Sequence, residues 1–295
     1  MTPTIPIAAV TDEFSANLPI ALPAMAAIGM TGAELRVVNV GAGVKNVMDL
    51  TDDECKLARD LLAEHGMQVV SLASPLLKCV LPDAPEVDTR FQQDIFNSKH
   101  TFADQPRLAD RAFALAEFFG APIIRVFSYW RTVDPDQCFD RICSALTALA
   151  TDAASRGVTI GLENEHACNI GTAAESARVL AAVHHSNVKL VWDPANALVG
   201  GEVPFPDGFS LLPVARIAHV HAKDGRMVTA EDGSHVAEWG PLGTRHVDWK
   251  GQIAALRTAG YKGWISLETH WPGPGGNKME ASKICGWNLR GLVSE

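Results

Sequence analysis

A glycine recurs just ahead of an apolar, strand-type run at five places in the chain. The five pairs are Gly29 before residues 33–38, Gly66 before 67–72, Gly120 before 122–127, Gly157 before 158–162 and Gly260 before 264–267. A glycine that ends a helix in the left-handed conformation, followed closely by a strand, is typical of a βα unit. Helix-start signals lie between these turns: Thr51 with Glu54 as a capping box, Asp134 with Pro135, and Asp248 as a cap. The pattern predicts strands that alternate with helices.

Three further strand-type runs, at residues 5–10, 188–193 and 217–221, bring the predicted strands to eight. Strands that alternate with helices form a parallel sheet, and eight such units favour closure into a barrel. The strand-to-helix segments are long, and in a barrel they all lie on the C-terminal face, where active sites are built. They cover residues 74–105, 196–212, 224–247 and 270–278. We therefore predict an α/β fold, a single (β/α)8 TIM barrel that occupies residues 1–295 as one domain.

Composition narrows the choice of partner and compartment. The chain has 47% hydrophobic and 20% charged residues, and no apolar run reaches the roughly 20 residues that span a bilayer. Its formal net charge of -9, without a run of Lys or Arg, argues against nucleic acid as a partner. The six cysteines form no CxxC pair, which suits a reducing compartment and argues against a zinc–thiolate site. Because the N-terminus has no positively charged leader, we expect a cytoplasmic protein without a membrane segment.

The last four predicted strands each end on a residue that can bind a metal: Glu163, Asp193, His221 and Glu268. Each has an ordinary alternative, since a strand-end acid is usually solvated, Asp193 can start a turn, and a lone histidine is usually packed and hydrogen-bonded. At the mouth of one barrel, however, three carboxylates would repel each other and resist ionisation unless a cation neutralised them. Oxygen ligands with one imidazole favour Mn²⁺ or Mg²⁺, with Co²⁺ or Zn²⁺ as alternatives. The sequence therefore predicts a divalent metal ion as cofactor.

The motifs at these strands resemble those of the xylose isomerase-like sugar phosphate isomerase/epimerase superfamily. They are LE, WDPAN, HVHAKD, HVDW and SLETH in the second half of the chain, and VTDEFS, GAELR, VVSLASPLLK and IIRVFS in the first. The resemblance covers essentially the whole chain and implies a TIM barrel whose metal ligands are Glu163, Asp193, His221 and Glu268. The second His of HVHAKD is the ligand in the family, hence His221 rather than His219. The resemblance also implies that Glu163 and Glu268 are the catalytic residues that transfer protons.

Such residues suit one type of reaction. A metal bound to adjacent carbonyl and hydroxyl oxygens lowers the pKa of the C–H between them, and a carboxylate then removes that proton to give a cis-enediolate. If a second glutamate returns a proton from the opposite face, the carbon is epimerised. If the proton goes to the neighbouring carbon, an aldose and a ketose interconvert. We therefore predict a metal-dependent isomerase or epimerase that acts on a small sugar or a sugar-derived keto compound.

Polar residues on the predicted top-face loops are candidates for substrate binding, although any one of them can equally be a solvated loop residue. They are Arg36, Asn164, His166, Asn196, Lys223, Arg226, Arg245 and His246. The basic ones together predict a substrate that carries an oxidised or anionic group. Four tryptophans could wall a sugar pocket or pack in the core: Trp130, Trp192, Trp239 and Trp271. Related ketose 3-epimerases have His where this chain has Asn196, which weakens a transfer of their substrate contacts.

Three other functions stay open. A dehydratase of the inosose or 3-dehydroshikimate type would use the same proton abstraction and then expel a β-hydroxyl, so that its product gains ultraviolet absorbance. A non-catalytic sugar-binding barrel would hold no metal and exchange no substrate proton. An endonuclease of the superfamily is disfavoured, because it needs extra His ligands where this chain has Arg36, Ser71 and Ser74. Relatives imply a homodimer or a homotetramer.

Overall fold

The computed structural model describes residues 5–91 and 99–295, and within them eight parallel strands close a barrel. The described strands are β1 Ile7–Val10, β2 Gly32–Leu35, β3 Val37–Val38, β4 Lys45–Asn46, β5 Gln68–Leu72, β6 Ile123–Val126, β7 Thr159–Glu163, β8 Val188–Trp192, β9 Ile217–Ala222, β10 Asp224–Thr229, β11 His235–Gly240 and β12 Trp264–Leu267. The described α-helices are α1 Thr11–Phe14, α2 Leu18–Ile28, α3 Asp52–Glu64, α4 Gln105–Phe119, α5 Phe139–Ala154, α6 Ala173–Ala182, α7 Pro194–Val199, α8 Phe209–Leu211, α9 Trp249–Thr258 and α10 Lys278–Ser294. Around the barrel the strand order is β1, β2, β5, β6, β7, β8, β9 and β12, with β12 beside β1. The predicted α/β TIM barrel is confirmed.

The five glycines between helix and strand all have the left-handed backbone that the sequence predicts. Their φ angles are 89° at Gly29, 64° at Gly66, 66° at Gly120, 67° at Gly157 and 73° at Gly260. Residues with a side chain rarely adopt such angles, so glycine lets the chain leave a helix and enter the next strand within a few residues. The repeated βα unit is thereby confirmed.

Two of the three predicted helix starts are confirmed in full. Thr51 and Glu54 form a capping box at the start of α3, and the Asp248 side chain accepts a backbone N–H at the start of α9. The third is confirmed in position, because Asp134 is the N-cap and Pro135 the first residue of a 3-10 turn, but the Asp134 side chain makes no capping hydrogen bond. A 3-10 turn over Pro135–Cys138 separates Asp134 from α5, so its carboxylate does not meet the first turn of that helix.

Two predicted segments have a different structure. The run at 33–38 is divided, because β2 ends at Leu35 and the chain after Arg36 continues as β3, which pairs with β4 in a separate sheet. The segment 224–247, predicted as a loop, contains the antiparallel hairpin of β10 and β11. Part of the predicted loop at 74–105 lies outside the described residues.

The main hydrophobic core lies between the barrel and its helices, and its buried side chains run from Ile5 to Val293. A smaller buried cluster contains Phe127 and Trp130. All six cysteines are free thiols, and five of them are buried. In the part of the chain that the structure describes, no helix has the length and apolar character needed to cross a membrane.

Candidate functional site

The four predicted metal ligands meet at the C-terminal mouth of the barrel. Glu163 ends β7, and His221 lies in β9. Asp193 and Glu268 directly follow β8 and β12. Each residue offers one ligand atom, these atoms lie within 4.8 Å of one another, and all four residues are buried. The closed parallel barrel thus brings together residues that are far apart in sequence. We call these four residues the strand-end cluster.

Buried cations contact the carboxylates of this cluster. Lys223 Nζ lies 2.9 Å from Asp193 Oδ2 and 3.3 Å from Glu268 Oε2. The other oxygen of Glu268, Oε1, lies 2.8 Å from Arg36 Nη1. Both cations are buried. A buried charge is costly unless it is paired, so these contacts are what the crowded carboxylates require.

Glu163 and Glu268 share the imidazole of His221. His221 Nδ1 lies 3.0 Å from Glu163 Oε1 and 3.3 Å from Glu268 Oε2. The second oxygen of Glu163 lies 3.1 Å from Arg125 Nη1. The Nδ1 edge of the imidazole is therefore the edge that faces the carboxylates.

Burial and charge shift the pKa values of the cluster in opposite directions. Burial raises the pKa of Asp193 to about 6, against the lowering effect of Lys223. Burial also acts to raise the pKa of Glu268, but Lys223 and His221 outweigh it and hold that pKa well below its usual range. At His221 burial acts to lower the pKa, and the carboxylates, Glu34 foremost, outweigh it and raise the pKa. Glu268 is consequently ionised at neutral pH, which is the state that a general base needs.

Two buried carboxylate oxygens of the cluster make no hydrogen bond, Glu163 Oε2 and Asp193 Oδ2. The other Asp193 oxygen, Oδ1, accepts the backbone N–H groups of Ala195 and Asn196 at the start of α7. The contact of Oδ2 is the ion pair with Lys223 Nζ at 2.9 Å, and that of Glu163 Oε2 is the ion pair with Arg125 Nη1 at 3.1 Å. Hard divalent cations take carboxylate oxygens of this kind, and an imidazole completes many such sites. The residues present fit a divalent ion.

A cavity of about 1010 Å³ opens over the strand-end cluster, and Glu268 is the member of the cluster that lines it. Its aromatic walls include Phe127 and Trp239, and its other ionisable lining residues are Arg36, Lys78, Arg90, Arg125, Glu165, His166, Asp232, His235 and His270. A concave site of this volume, with aromatic surfaces and a few convergent polar groups, is typical of small-molecule binding.

The β10–β11 hairpin contributes one wall of this cavity. Met227, Ala237 and Trp239 line the cavity, and Met227 is paired with Ala237 across the hairpin. Near the hairpin turn, His235 and Val236 also line the cavity. The pair of Arg226 and Glu238 lies on the strand face opposite Met227 and Ala237 and does not line the cavity. Arg226 Nε donates to Glu238 Oε1 at 3.0 Å on that exposed face.

Trp239 connects the hairpin to the strand-end cluster. The indole lies against Gly225, where an added Cβ would stand 2.8 Å from the ring. It packs edge-on against His270, with 5.1 Å between the ring centroids. Lys223 Nζ lies 5.7 Å from the indole centroid. Glycine at position 225 is thus required for the close approach of this side chain to the site.

The predicted substrate-binding residues fall into three groups. Those that line the cavity are Arg36 and His166. Those that are buried and contact the cluster or its neighbours are Asn164, Asn196 and Lys223. Those that lie exposed and outside the cavity lining are Arg226, Arg245 and His246.

The third group corrects the prediction. Arg226 points away from the cavity because of its position in β10. Arg245 Nη2 lies 3.7 Å from Glu238, on the same outer side. The backbone N–H of His246 donates to the carbonyl of Gly225, and its side chain is exposed. Loop position alone did not show which face of the hairpin these side chains occupy.

The two asparagines of the second, buried group contact other residues of the site. Asn164 Nδ2 donates to the carbonyl of Asp193, and the Asp193 N–H donates back to Asn164 Oδ1, each at 2.8 Å. This reciprocal pair ties the end of β7 to the end of β8. Asn196 Oδ1 lies 3.1 Å from His166 Nδ1. These amides therefore hold residues of the site. The substrate contacts of Asn164 and Asn196 stay a prediction, and Asn196 Nδ2 is a buried donor without a hydrogen bond.

Of the four tryptophans, Trp239 lines the cavity. Trp192 is fully buried in the core, where its Nε1 donates to Gln252 Oε1 at 3.1 Å. Trp130 belongs to the smaller buried cluster, and Trp271 packs against the main core. The prediction of a tryptophan wall is thus reduced to one residue.

Several ionisable residues around the site were missed by sequence reasoning, among them Glu34, Lys78, Arg125 and Glu165. Glu34 and Arg125 are buried within the apolar strands β2 and β6. A charged residue inside a buried strand must find a partner, and this signal could have identified both. Lys78 and Glu165 lie in loops, where no such pattern marks them.

Residues 22–285 match the family model of the xylose isomerase-like TIM barrel. The inosose dehydratase of Geobacillus thermodenitrificans (strain NG80-2) is 26% identical over 150 residues, which are 47% of this chain and 49% of that protein. The match thus spans about half the length of that curated relative.

Several solved structures share the fold. The IolI protein with a bound zinc atom has a TM-score of 0.71 at 17% identity, over 98% of each chain. A xylose isomerase-like TIM barrel protein from Mycobacterium smegmatis in complex with magnesium has a TM-score of 0.69 at 18% identity, over 99% of this chain and 97% of that one. D-Allulose 3-epimerase from Methylomonas sp. in complex with D-allulose has a TM-score of 0.68 at 18% identity, over 99% and 98%.

At these identities the solved structures show a shared fold, while the sequence model covers most of the chain, from residue 22 to residue 285. The closed parallel barrel and the family model agree with each other. The chain belongs to the xylose isomerase-like TIM barrel family.

Proposed function

We propose that this protein is a divalent-metal-dependent isomerase or epimerase that acts on a sugar or a sugar-derived keto compound. One observation carries the proposal: three buried carboxylates and one imidazole meet within 4.8 Å beneath a cavity that Glu268 lines. The magnesium and zinc in two structures of the same fold support a divalent ion, and the D-allulose in a third supports a sugar-type substrate. Mn²⁺ and Mg²⁺ are the ions we propose, with Co²⁺ or Zn²⁺ as alternatives.

Glu163, Asp193, His221 and Glu268 would hold the ion. When bound, a divalent ion supplies Lewis acidity, which acidifies a C–H beside a carbonyl and stabilises the developing negative charge. Glu268 is the residue we assign to proton abstraction, because it is the member of the cluster that lines the cavity and its lowered pKa keeps it ionised. Arg36 and Lys223 contact its two oxygens and hold the carboxylate in place.

Glu163 is assigned to the second proton transfer. Its Oε1 and the Oε2 of Glu268 both lie near His221 Nδ1, at 3.0 and 3.3 Å, so the two glutamates stand next to each other in the site. Arg125, which lines the cavity, lies 3.1 Å from Glu163 Oε2 and orients that oxygen. A pair of carboxylates on the two sides of a substrate carbon is the arrangement that inversion at that carbon needs.

A dehydratase is the second candidate, and two observations favour it. The curated relative that matches part of this chain is an inosose dehydratase. Loss of water also needs an acid for the departing hydroxyl, and His166 is available in the cavity wall. Burial acts to lower the pKa of His166, but Glu165, 2.9 Å away, outweighs it and raises that pKa. The carboxylate of Glu165 therefore favours the protonated form of His166.

Solvent exchange tests the proposal and separates the two candidates. We would load the protein with Mn²⁺ and incubate it in D₂O with neutral ketohexoses, keto acids, an inosose and phosphorylated sugars. An epimerase or isomerase should give a stereoisomer or a positional isomer that has gained deuterium, as read by NMR and mass spectrometry. A dehydratase should give an unsaturated or diketo product with new ultraviolet absorbance.

The metal requirement has its own readout. A ligand that binds only the native state stabilises it by about 2.7 kcal/mol at a hundred times its Kd, so Mn²⁺ should raise the melting temperature and a chelator should reverse the rise. The chelated protein should exchange no substrate proton. If Mn²⁺ leaves melting unchanged, is not retained by the protein and supports no exchange with any compound, the proposal is wrong and a non-catalytic sugar-binding barrel replaces it.

A further inference from the structure

Below the strand-end cluster, one carboxylate contacts two histidines. Glu34 of β2 is fully buried, and its Oε2 lies 3.0 Å from His221 Nε2 and 3.2 Å from His219 Nε2. His219 and His221 lie two residues apart in β9, and their rings are nearly perpendicular, at 88°. Glu34 Oε1 makes no hydrogen bond, so both contacts are made through one oxygen.

The two ring nitrogens of His221 therefore have different surroundings. Nδ1 faces Glu163 and Glu268, and Nε2 faces Glu34. An ionised carboxylate accepts hydrogen bonds and donates none, so Glu34 holds a proton on Nε2. In the neutral imidazole Nδ1 then carries the lone pair, and that nitrogen is the one able to bind a metal.

The backbone supports this position of Glu34. Between β2 and β5 the register shifts at Ala33 and Glu34, and Glu34 is paired with Ser71 after the shift. A second shift lies between β8 and β9, just before the pair of Val191 and His219. Bulges re-aim side chains and are common beside active sites. Both strands that supply this contact thus carry an irregularity at the contact itself.

We propose that Glu34 is a positioning residue that fixes the His221 ring, with Nδ1 toward the strand-end cluster, and thereby sets the affinity of the divalent-metal site. The inference rests on the proposed function. Glu34 lies outside the cavity lining and is fully buried, so it acts through His221 and does not touch substrate. Carboxylates that accept the second N–H of a ligating histidine typically contribute 10–100-fold to metal affinity.

Glu34→Gln tests this role with little change in volume, because it removes the charge and keeps an oxygen in place. Ser71→Ala is the matched control, since Ser71 is the neighbour of Glu34 in the barrel, is fully buried and has a hydroxyl without a hydrogen bond. Free Mn²⁺ measured by electron paramagnetic resonance gives the Kd of each full-length protein. We expect Glu34→Gln to weaken Mn²⁺ binding about 10–100-fold. Ser71→Ala should bind like the wild type.

The tautomer of His221 is a direct readout that needs no variant. In protein labelled with ¹⁵N-histidine and loaded with Zn²⁺, long-range ¹H–¹⁵N correlations should show His221 protonated on Nε2 and unprotonated on Nδ1. Glu34→Asp, which keeps the charge, should preserve this tautomer better than Glu34→Gln. A proton on Nδ1 of wild-type His221 would overturn the proposal even if the Gln variant failed to fold.

The outcomes separate this inference from the proposed function. If wild type and Glu34→Gln bind Mn²⁺ equally tightly, the metal site stands and the role of Glu34 is wrong. If the wild type binds no Mn²⁺, both proposals are wrong. Glu34, His219 and His221 also lie close enough to hold an ion themselves. Two Mn²⁺ ions per chain, with one lost in Glu34→Gln, would show that Glu34 is a ligand and end its assignment as a positioning residue.

Discussion

The strand-end cluster beneath the cavity and the β10–β11 hairpin beside it are held by different kinds of charge pair. In the cluster, Lys223 and Glu268 are both buried and lie 3.3 Å apart. In the hairpin, the side chains of Arg226 and Glu238 are 46% and 42% exposed. Breaking a buried pair leaves an uncompensated charge and is costly, whereas an exposed pair contributes little. We therefore expect turnover to depend on the strand-end cluster and substrate affinity to depend on the cavity face of the hairpin.

The largest expected effect is at the glutamates of the cluster. Glu268→Gln and Glu163→Gln should each lower turnover at least about a hundredfold, the usual scale for loss of a general base or acid. Steady-state kinetics on the metal-loaded protein, with substrate found in the exchange assay, measure this effect. Arg36 keeps Asp12 and Glu13 as partners after Glu268→Gln, so circular dichroism should show a folded protein. A variant that keeps near-normal turnover would exclude its residue from proton transfer.

A smaller effect is expected from the cavity face of the hairpin. Trp239→Ala should raise KM about tenfold, which corresponds to about 1.4 kcal/mol, and leave kcat nearly unchanged, because it removes contact shared by the bound substrate and the transition state. Trp287→Ala is the matched control, since Trp287 is 53% exposed on α10 and does not line the cavity. A loss confined to kcat would contradict the assignment of the hairpin to substrate affinity, because it would show that Trp239 acts in the chemical step.

The smallest effect is expected from the outer face of the same hairpin. Arg226→Ala should leave KM and kcat unchanged and barely change the free energy of unfolding, because its pair with Glu238 is exposed and faces away from the cavity. Kinetics and chemical denaturation measure the two quantities. A clear rise in KM would show that the hairpin changes its orientation when substrate binds, and would restore the expectation drawn from the sequence.

The strand-end cluster and the hairpin also differ in how far the sequence predicts them. The residues of the cluster each stand at the end of an apolar run, and that position can be read locally. The hairpin lies in a segment whose spacing predicts only a loop, and the face that Arg226 occupies depends on its pairing with β11. A shift of one residue in that register would exchange the two faces, which is why polarity alone misplaced Arg226.

The contacts of Glu34 are even harder to predict from the local sequence. Glu34 and His219 are separated by 185 residues, and they meet because the barrel closes and the strands carry register shifts at that point. The pair of Arg125 and Glu163 likewise depends on the neighbouring strands β6 and β7. A charged residue within a buried strand signals that a partner exists, but the sequence does not say which one.

The number of βα units, the glycines between helix and strand and the four strand-end residues could be predicted from the sequence, because these features depend on periodicity and on local backbone preference. The cations that neutralise those carboxylates, the edge of His221 that faces them and the side chains that reach the cavity are visible in the folded barrel alone. Barrel closure sets these relations between strands, and a distance of about 3 Å between side chains distant in sequence has no local signal.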